Sequence, residues 1–92
     1  MLPVAKLIEK PLFLAIKRTC PYCQRALQLA QEHGVTPEVV DVLENEATME
    51  LREELTARTG QRTVPYVFSK GRFIGGYTEL AQEPQSFWDS LK

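Results

Sequence analysis

Cysteine is scarce in this chain: 92 residues carry two, Cys20 and Cys23, three positions apart. One pair closing so short a loop is not the framework of a disulfide-stapled secreted domain. Charge of one sign is also missing. Eleven Lys and Arg against twelve Asp and Glu leave a net charge of -1, which excludes a chain-wide bias toward nucleic acid or anionic membranes. No apolar run approaches the roughly 20 residues that a transmembrane helix needs. The opening stretch, Met1 to Lys10, lacks a long apolar segment ending in a small-residue cleavage site, so no signal peptide is expected and the expected location is the cytoplasm. Repeats, low-complexity tracts and linkers are absent as well. At this length residues 1–92 are expected to form a single domain, with a monomer as the default state.

What is present reads as alternating strands and helices. Leu12 to Ile16 is a short continuous apolar run, suited to a strand buried on both faces. A helix is expected over Cys20 to His33, with Pro21 in its first turn, Gly34 just past its end, and Ala26, Leu27 and Ala30 on one face. Pro37 to Val42, rich in valine, reads as a second strand, parallel to the first in a right-handed βαβ unit. A second helix is expected from Glu46 to Arg58, with Ala47, Leu51 and Leu55 recurring every four residues and Gly60 ending it. Tyr66 to Phe68 and Arg72 to Ile74 flank Ser69-Lys70-Gly71 as an antiparallel hairpin, which Gly75-Gly76 breaks off. A last helix over Thr78 to Gln82 is interrupted by Pro84, and Phe87, Trp88 and Leu91 then cap the core. The first ten residues read only as a short helical or irregular lead-in. The order β-α-β-α-β-β-α predicts an α/β domain with a four-stranded mixed sheet flanked by helices.

Chemistry concentrates at Thr19-Cys20-Pro21-Tyr22-Cys23, where the first strand gives way to the first helix. The first turn of a helix has unpaired N–H groups and a partial positive charge, both of which stabilise a thiolate. Lys17 and Arg18 add positive charge nearby. Cys20 is therefore the expected nucleophile. Cys23, one turn later, is placed to attack a mixed disulfide on Cys20 and close the ring. The competing reading is half of a zinc site. Zinc needs four ligands, and the one other strong candidate, His33, lies on the same helix and cannot close a tetrahedron with its neighbours. That reading survives only for a metal shared between two chains. His33 is expected to interact with the last carbonyls of its helix.

Three elements together resemble the glutaredoxin family over nearly the whole chain. Cys20-Pro21-Tyr22-Cys23 is similar to the dithiol form of its active-site motif. Thr63-Val64-Pro65 follows about forty residues later, and Gly75-Gly76 ten residues after Pro65. Thioredoxin proper, with Trp-Cys-Gly-Pro-Cys, is a poorer match. The resemblance implies the thioredoxin fold and a glutathione-dependent thiol–disulfide oxidoreductase. Catalysis then falls to Cys20 and Cys23, with glutathione as co-substrate and no resident metal.

It also implies a glutathione groove. Pro65 is expected in the cis form, turning the Val64 backbone toward substrate, where it pairs like an added strand. Lys17 and Arg52 match positions that meet glutathione carboxylates. Tyr22 walls the groove, and Gly76 permits close backbone approach. Tyr77 and Thr78 match the positions holding the γ-glutamyl end. Arg18, Arg25 and Arg62 read as rim charges, Phe13, Phe68, Phe73 and Trp88 as core, and Gly71 as a hairpin residue. One departure stands out: many glutaredoxins carry Gly-Gly-Cys/Ser-Asp where this chain has Gly75-Gly76-Tyr77-Thr78-Glu79. Thr78 keeps a hydroxyl but no charge, which implies looser glutathione binding unless Glu79 compensates. The Tyr-Thr form is similar to a bacterial type that donates electrons to ribonucleotide reductase. Two further roles remain open: an iron–sulfur cluster carrier using glutathione, and a thioredoxin-like protein fed by a flavoprotein reductase.

Overall fold

The computed structural model describes residues 2–92, in the order α1 (Val4–Ile8), β1 (Phe13–Ile16), α2 (Pro21–Glu32), β2 (Glu38–Asp41), α3 (Glu46–Thr59), β3 (Tyr66–Ser69), β4 (Arg72–Gly75), α4 (Tyr77–Ala81) and α5 (Gln85–Asp89). The four strands form one sheet in the order β2-β1-β3-β4. The β1–β2 pair is parallel, and the other two pairs are antiparallel. Among the described residues no helix is long and apolar enough to cross a membrane.

Every residue of β1 is buried, as its unbroken apolar run requires. Alternate side chains feed two cores. Leu14 and Ile16 join Cys23, Ala26 and Ala30 of α2, Val67, Leu80 and Trp88 on one face. Phe13 and Ala15 join Val4 and Ile8 of α1, Leu51 and Leu55 of α3, Tyr66 and Phe68 on the other. The sheet is thus a filling between two helical layers. The small residues Ala26 and Ala30, fully buried, let α2 sit close to the strands beneath it.

The helix ends follow local chemistry. Asn45 caps α3: its side-chain oxygen accepts from the Thr48 N–H at 3.0 Å, and the Thr48 hydroxyl accepts from the Asn45 N–H at 3.0 Å. This reciprocal pair turns Thr48 inward, so the buried face of α3 is Thr48, Leu51 and Leu55, with Ala47 half-buried. Gly60 ends α3 in the left-handed region at φ 79°. The β3–β4 turn places Lys70 at φ 52° and Gly71 at φ 88°, the two positive values that a two-residue hairpin of matching twist requires.

Three details depart from the sequence pattern. Within the ambiguous lead-in, whose Met1 lies outside the described residues, Val4 and Ile8 form one buried face of a single helical turn, α1. The hairpin tip holds it in place: the Lys70 N–H donates to the Lys10 carbonyl and the Gly71 N–H to the Ile8 carbonyl, both at 2.8 Å. At the other end, Pro84 does not merely interrupt. It starts a separate helix, α5, which carries Trp88 into the core. Finally, His33 caps α2 as its backbone N–H bonds Leu29 and Ala30, but its ring stacks on Trp88 with centroids 4.3 Å apart and planes within 4°.

Replacing the α3 cap, Asn45→Ala, is expected to destabilise the fold by about 1 kcal/mol. Urea unfolding checks this as a lower midpoint with an unchanged slope.

Candidate active site

The active thiols stand where β1 hands over to α2. Cys20 is the N-cap of α2, with extended backbone at φ -85° and ψ 120°, and Pro21 opens the helix. Proline at the first helical position costs nothing, because its missing N–H would have no intrahelical partner there. The turn before it is closed by the Cys20 N–H donating to the Lys17 carbonyl at 3.1 Å. Both cysteines are free thiols; Cys20 is partly exposed and Cys23 is fully buried.

Their acidities are driven apart. Partial burial works to raise the Cys20 thiol. Hydrogen bonds from the Cys23 N–H, the Cys23 thiol and the Tyr22 N–H, with the Lys17 charge, outweigh it and hold the group below its ordinary value of 9.0. Cys23 is pushed up to about 12, first by burial and then by its hydrogen bond to Cys20 and the Cys20 charge. One sulfur is thus set to be a thiolate while its neighbour keeps its proton and donates it.

Beside the thiols lies a groove of about 280 Å³ lined by Tyr22, Gln61, Thr63, Val64, Pro65, Gly76, Tyr77, Thr78 and Glu79. The Val64–Pro65 bond is cis. Cys20, Val64 and Tyr77 pack against one and the same core cluster. Carbonyls around the cis bond are taken up locally. The Gln61 side-chain amide donates to the Thr63 and Pro65 carbonyls, at 2.6 and 2.9 Å, and Arg52 donates to the Arg62 carbonyl at 2.9 Å. Among the described residues the Val64 N–H and C=O make no hydrogen bond, leaving one unpaired backbone unit in the bend that lines the groove.

Of the residues singled out from the sequence, the groove gathers Tyr22, Val64, Pro65, Gly76, Tyr77 and Thr78. Lys17 sits in the turn before the thiols, its carbonyl accepting the Cys20 N–H at 3.1 Å, and does not line the groove. Arg52 is elsewhere: it lines a neighbouring cavity with Val42, Leu43, Met49 and Arg62. Glu79 lines the groove, but its carboxylate accepts the Gly76 N–H at 2.7 Å. The rim is aromatic: Tyr22, 54% exposed, has its ring 6.2 Å from that of Tyr77, and the Arg25 guanidinium lies 5.2 Å from the Tyr22 ring centre. Gln61 carried no motif of its own, and Thr63 entered only as part of the Thr63-Val64-Pro65 motif. The signal that could have found Gln61 is its place between the helix-ending Gly60 and the Thr63-Val64-Pro65 turn, where orphan carbonyls need a donor. Among the described residues no three His, Cys, Asp or Glu side chains gather to hold a metal ion.

Comparison with known proteins agrees with this geometry. The Glutaredoxin family pattern matches residues 12–74. Glutaredoxin-1 of Gallus gallus is 33% identical over 81 residues, 88% of this chain and 80% of that protein. The crystal structure of the holo form of glutaredoxin C1 from Populus tremula x tremuloides superimposes with a TM-score of 0.86 at 28% identity, covering 97% of this chain and 94% of that one. A buckwheat glutaredoxin in complex with glutathione gives a TM-score of 0.83 at 27% identity, covering 95% and 81%. The sheet and its helices are the thioredoxin fold as glutaredoxins build it. With a low-acidity-threshold thiol at a helix start, a protonated partner one turn on, and a cis-proline groove beside them, this chain belongs to the glutaredoxin family and is a thiol–disulfide oxidoreductase.

Proposed function

We propose that this oxidoreductase reduces glutathione mixed disulfides and protein disulfides, with glutathione as the reductant. The observation that carries the reading is the unpaired Val64 backbone in a groove beside the Cys20 thiolate. A tripeptide thiol pairs there as an added strand while its sulfur meets Cys20. The buckwheat relative solved with glutathione supports the same choice of ligand.

In the first branch the Cys20 thiolate attacks the glutathione sulfur of a mixed disulfide. The substrate thiol leaves as thiolate, and Cys20 carries the glutathionyl group. A second glutathione thiolate attacks that group, releasing glutathione disulfide and restoring Cys20. In the second branch Cys20 attacks a protein disulfide. Cys23 gives up its proton and attacks the Cys20 sulfur, releasing the reduced protein and leaving a Cys20–Cys23 disulfide. Two glutathiones reduce it, forming one glutathione disulfide. Once Cys20 is in a mixed disulfide its charge is gone, and with it one cause of the high Cys23 value. The resolving thiol is thereby easier to ionise in the intermediate than in the resting protein.

Lys17 supplies positive charge for both the thiolate and a glutathione carboxylate. Thr78 offers a hydroxyl to the γ-glutamyl end, where a charged residue would bind more tightly. Arg52 reaches glutathione only from the adjoining cavity. The Tyr77-Thr78 pair favours ribonucleotide reductase as a protein acceptor. The cycle runs forward only against a reduced glutathione pool, which favours the cytoplasm.

The decisive assay is turnover of a small glutathione mixed disulfide fed either by NADPH, glutathione reductase and glutathione, or by NADPH and thioredoxin reductase. Turnover is expected with the first feed alone; turnover with only the second would overturn the reading. In the same assay Cys20→Ser is expected to abolish activity, whereas Cys23→Ser keeps deglutathionylation and loses reduction of protein disulfides. Equal loss in both variants would refute this division of labour. Alkylation of Cys20 by iodoacetamide, followed across pH, is expected to rise with a midpoint below 9.0, because the folded protein favours the charged form. Lys17→Gln should move that midpoint upward.

A further inference from the structure

A second cavity, of about 480 Å³, is lined among others by Leu43, Met49, Arg52, Glu53 and Arg62. Three large hydrophobic side chains are exposed among the described residues, Tyr22, Leu43 and Met49. The first walls the groove, and the other two, 56% and 46% exposed, both face this cavity. Two arginines, Arg52 and Arg62, also line the cavity. Arg18, Arg58 and Arg72 are ion-paired with Asp41, Glu54 and Glu83, while Arg52 and Arg62 have no ion pair among the described residues. Arg52 instead braces the loop by donating to the Arg62 carbonyl.

This cavity adjoins the groove. Arg62 lines the first, Thr63 and Val64 line the second, and two residues of extended chain span about 7 Å at most. A chain paired with the Val64 backbone therefore enters the cavity within about two or three residues of its reacting cysteine. Glutathione has one residue on either side of its cysteine and no apolar side chain to place between Leu43 and Met49. A polypeptide has both the length and the side chains.

We infer that the Leu43–Met49–Arg62 cavity is a docking site for the segment flanking the reactive cysteine of a polypeptide substrate, taking an apolar side chain between Leu43 and Met49 and a carboxylate at Arg62. The inference rests on the glutathione-groove reading above and extends it to protein substrates. Apolar contact at the cavity supplies affinity, and the arginine fork selects an acidic neighbour. Glu53, on the same wall, disfavours a second acidic group, so the motif that fits is one apolar and one acidic residue rather than an acidic run.

The test uses disulfide-linked homodimers of an octapeptide with one cysteine, flanked on both sides by Leu-Glu in one peptide and by Ser-Ser in the other, so that the peptide and not glutathione pairs with Val64 and chain direction is not presupposed. The unaltered chain should turn over the Leu-Glu peptide about fivefold to tenfold faster in kcat/KM. The double variant Leu43→Ser/Met49→Ser should lose most of that preference while its rate on the small glutathione mixed disulfide stays within about twofold, and Arg62→Gln should lose the part due to Glu. Both altered apolar side chains are exposed, and an unchanged thermal midpoint confirms folding. Equal rates on the two peptides, or a preference that survives the double variant, would overturn the inference. Should glutathione fail to support turnover, the underlying reading falls by itself. The cavity is then read by trapping each peptide on Cys20 of the Cys23→Ser variant: a shift of the Met49 methyl resonance with the Leu-Glu peptide alone upholds docking, and no shift refutes it.

Discussion

The burial of β1 on both faces fixes everything that the active site requires. Phe13, Leu14, Ala15 and Ile16 are all but sealed from solvent, two facing each helical layer. A strand held that way has no freedom to twist or slide without opening two cores at once. Its end is therefore a fixed point. The three residues after Ile16 deliver Cys20 to the start of α2, and α2 is itself locked to the same strand through Cys23, Ala26 and Ala30. The thiol sits at a junction whose two sides are both anchored in one core.

From that placement the division of labour between the cysteines follows. Cys20 caps a helix and shares its turn with free N–H groups, so its charge is welcomed. Cys23 points down into Leu14, Ile16 and Trp88, so its charge is penalised. Identical side chains three residues apart acquire opposite preferences because Cys20 stands outside the helix as its partly exposed N-cap, whereas Cys23 lies within the helix, fully buried against the core. The hydrogen bond from the protonated to the ionised sulfur joins these preferences: each state favours the other.

Much of this was legible from residue types. The apolar run of β1, the Pro21 and Gly34 bounds of α2, the Gly60 stop and the Ser69-Lys70-Gly71 hairpin each have a local physical cause, and the fold places them within a residue or two. The set Tyr22, Val64, Pro65, Gly76, Tyr77 and Thr78 came instead from the family resemblance, and the fold brings these residues to one groove by short turns next to fixed strands. The illegible parts depend on contacts distant in sequence. A five-residue α1 has no stability of its own and exists because Val4 and Ile8 find Phe13 and Tyr66, and because the hairpin tip bonds its end. The stack of His33 on Trp88 joins elements 55 residues apart. Arg52 is a long side chain on a helix face, and only the loop carbonyl of Arg62 decides which way it reaches.

The sheet ends at β2 on one side and β4 on the other, and both edges are unsuited to recruiting a further strand. The β2 edge is four residues long and bounded by the acids Glu38 and Asp41. The β4 edge starts at exposed Arg72, shifts register against Val67 and Phe68, and bends away at Gly75 with φ 128°. Short, charged and irregular margins are how sheets avoid templating other chains. Disulfides exposed on partly unfolded chains sit beside unpaired backbone, and a disulfide reductase with open margins would be drawn into the aggregates of such chains. These two edges give this oxidoreductase no backbone template to offer such chains.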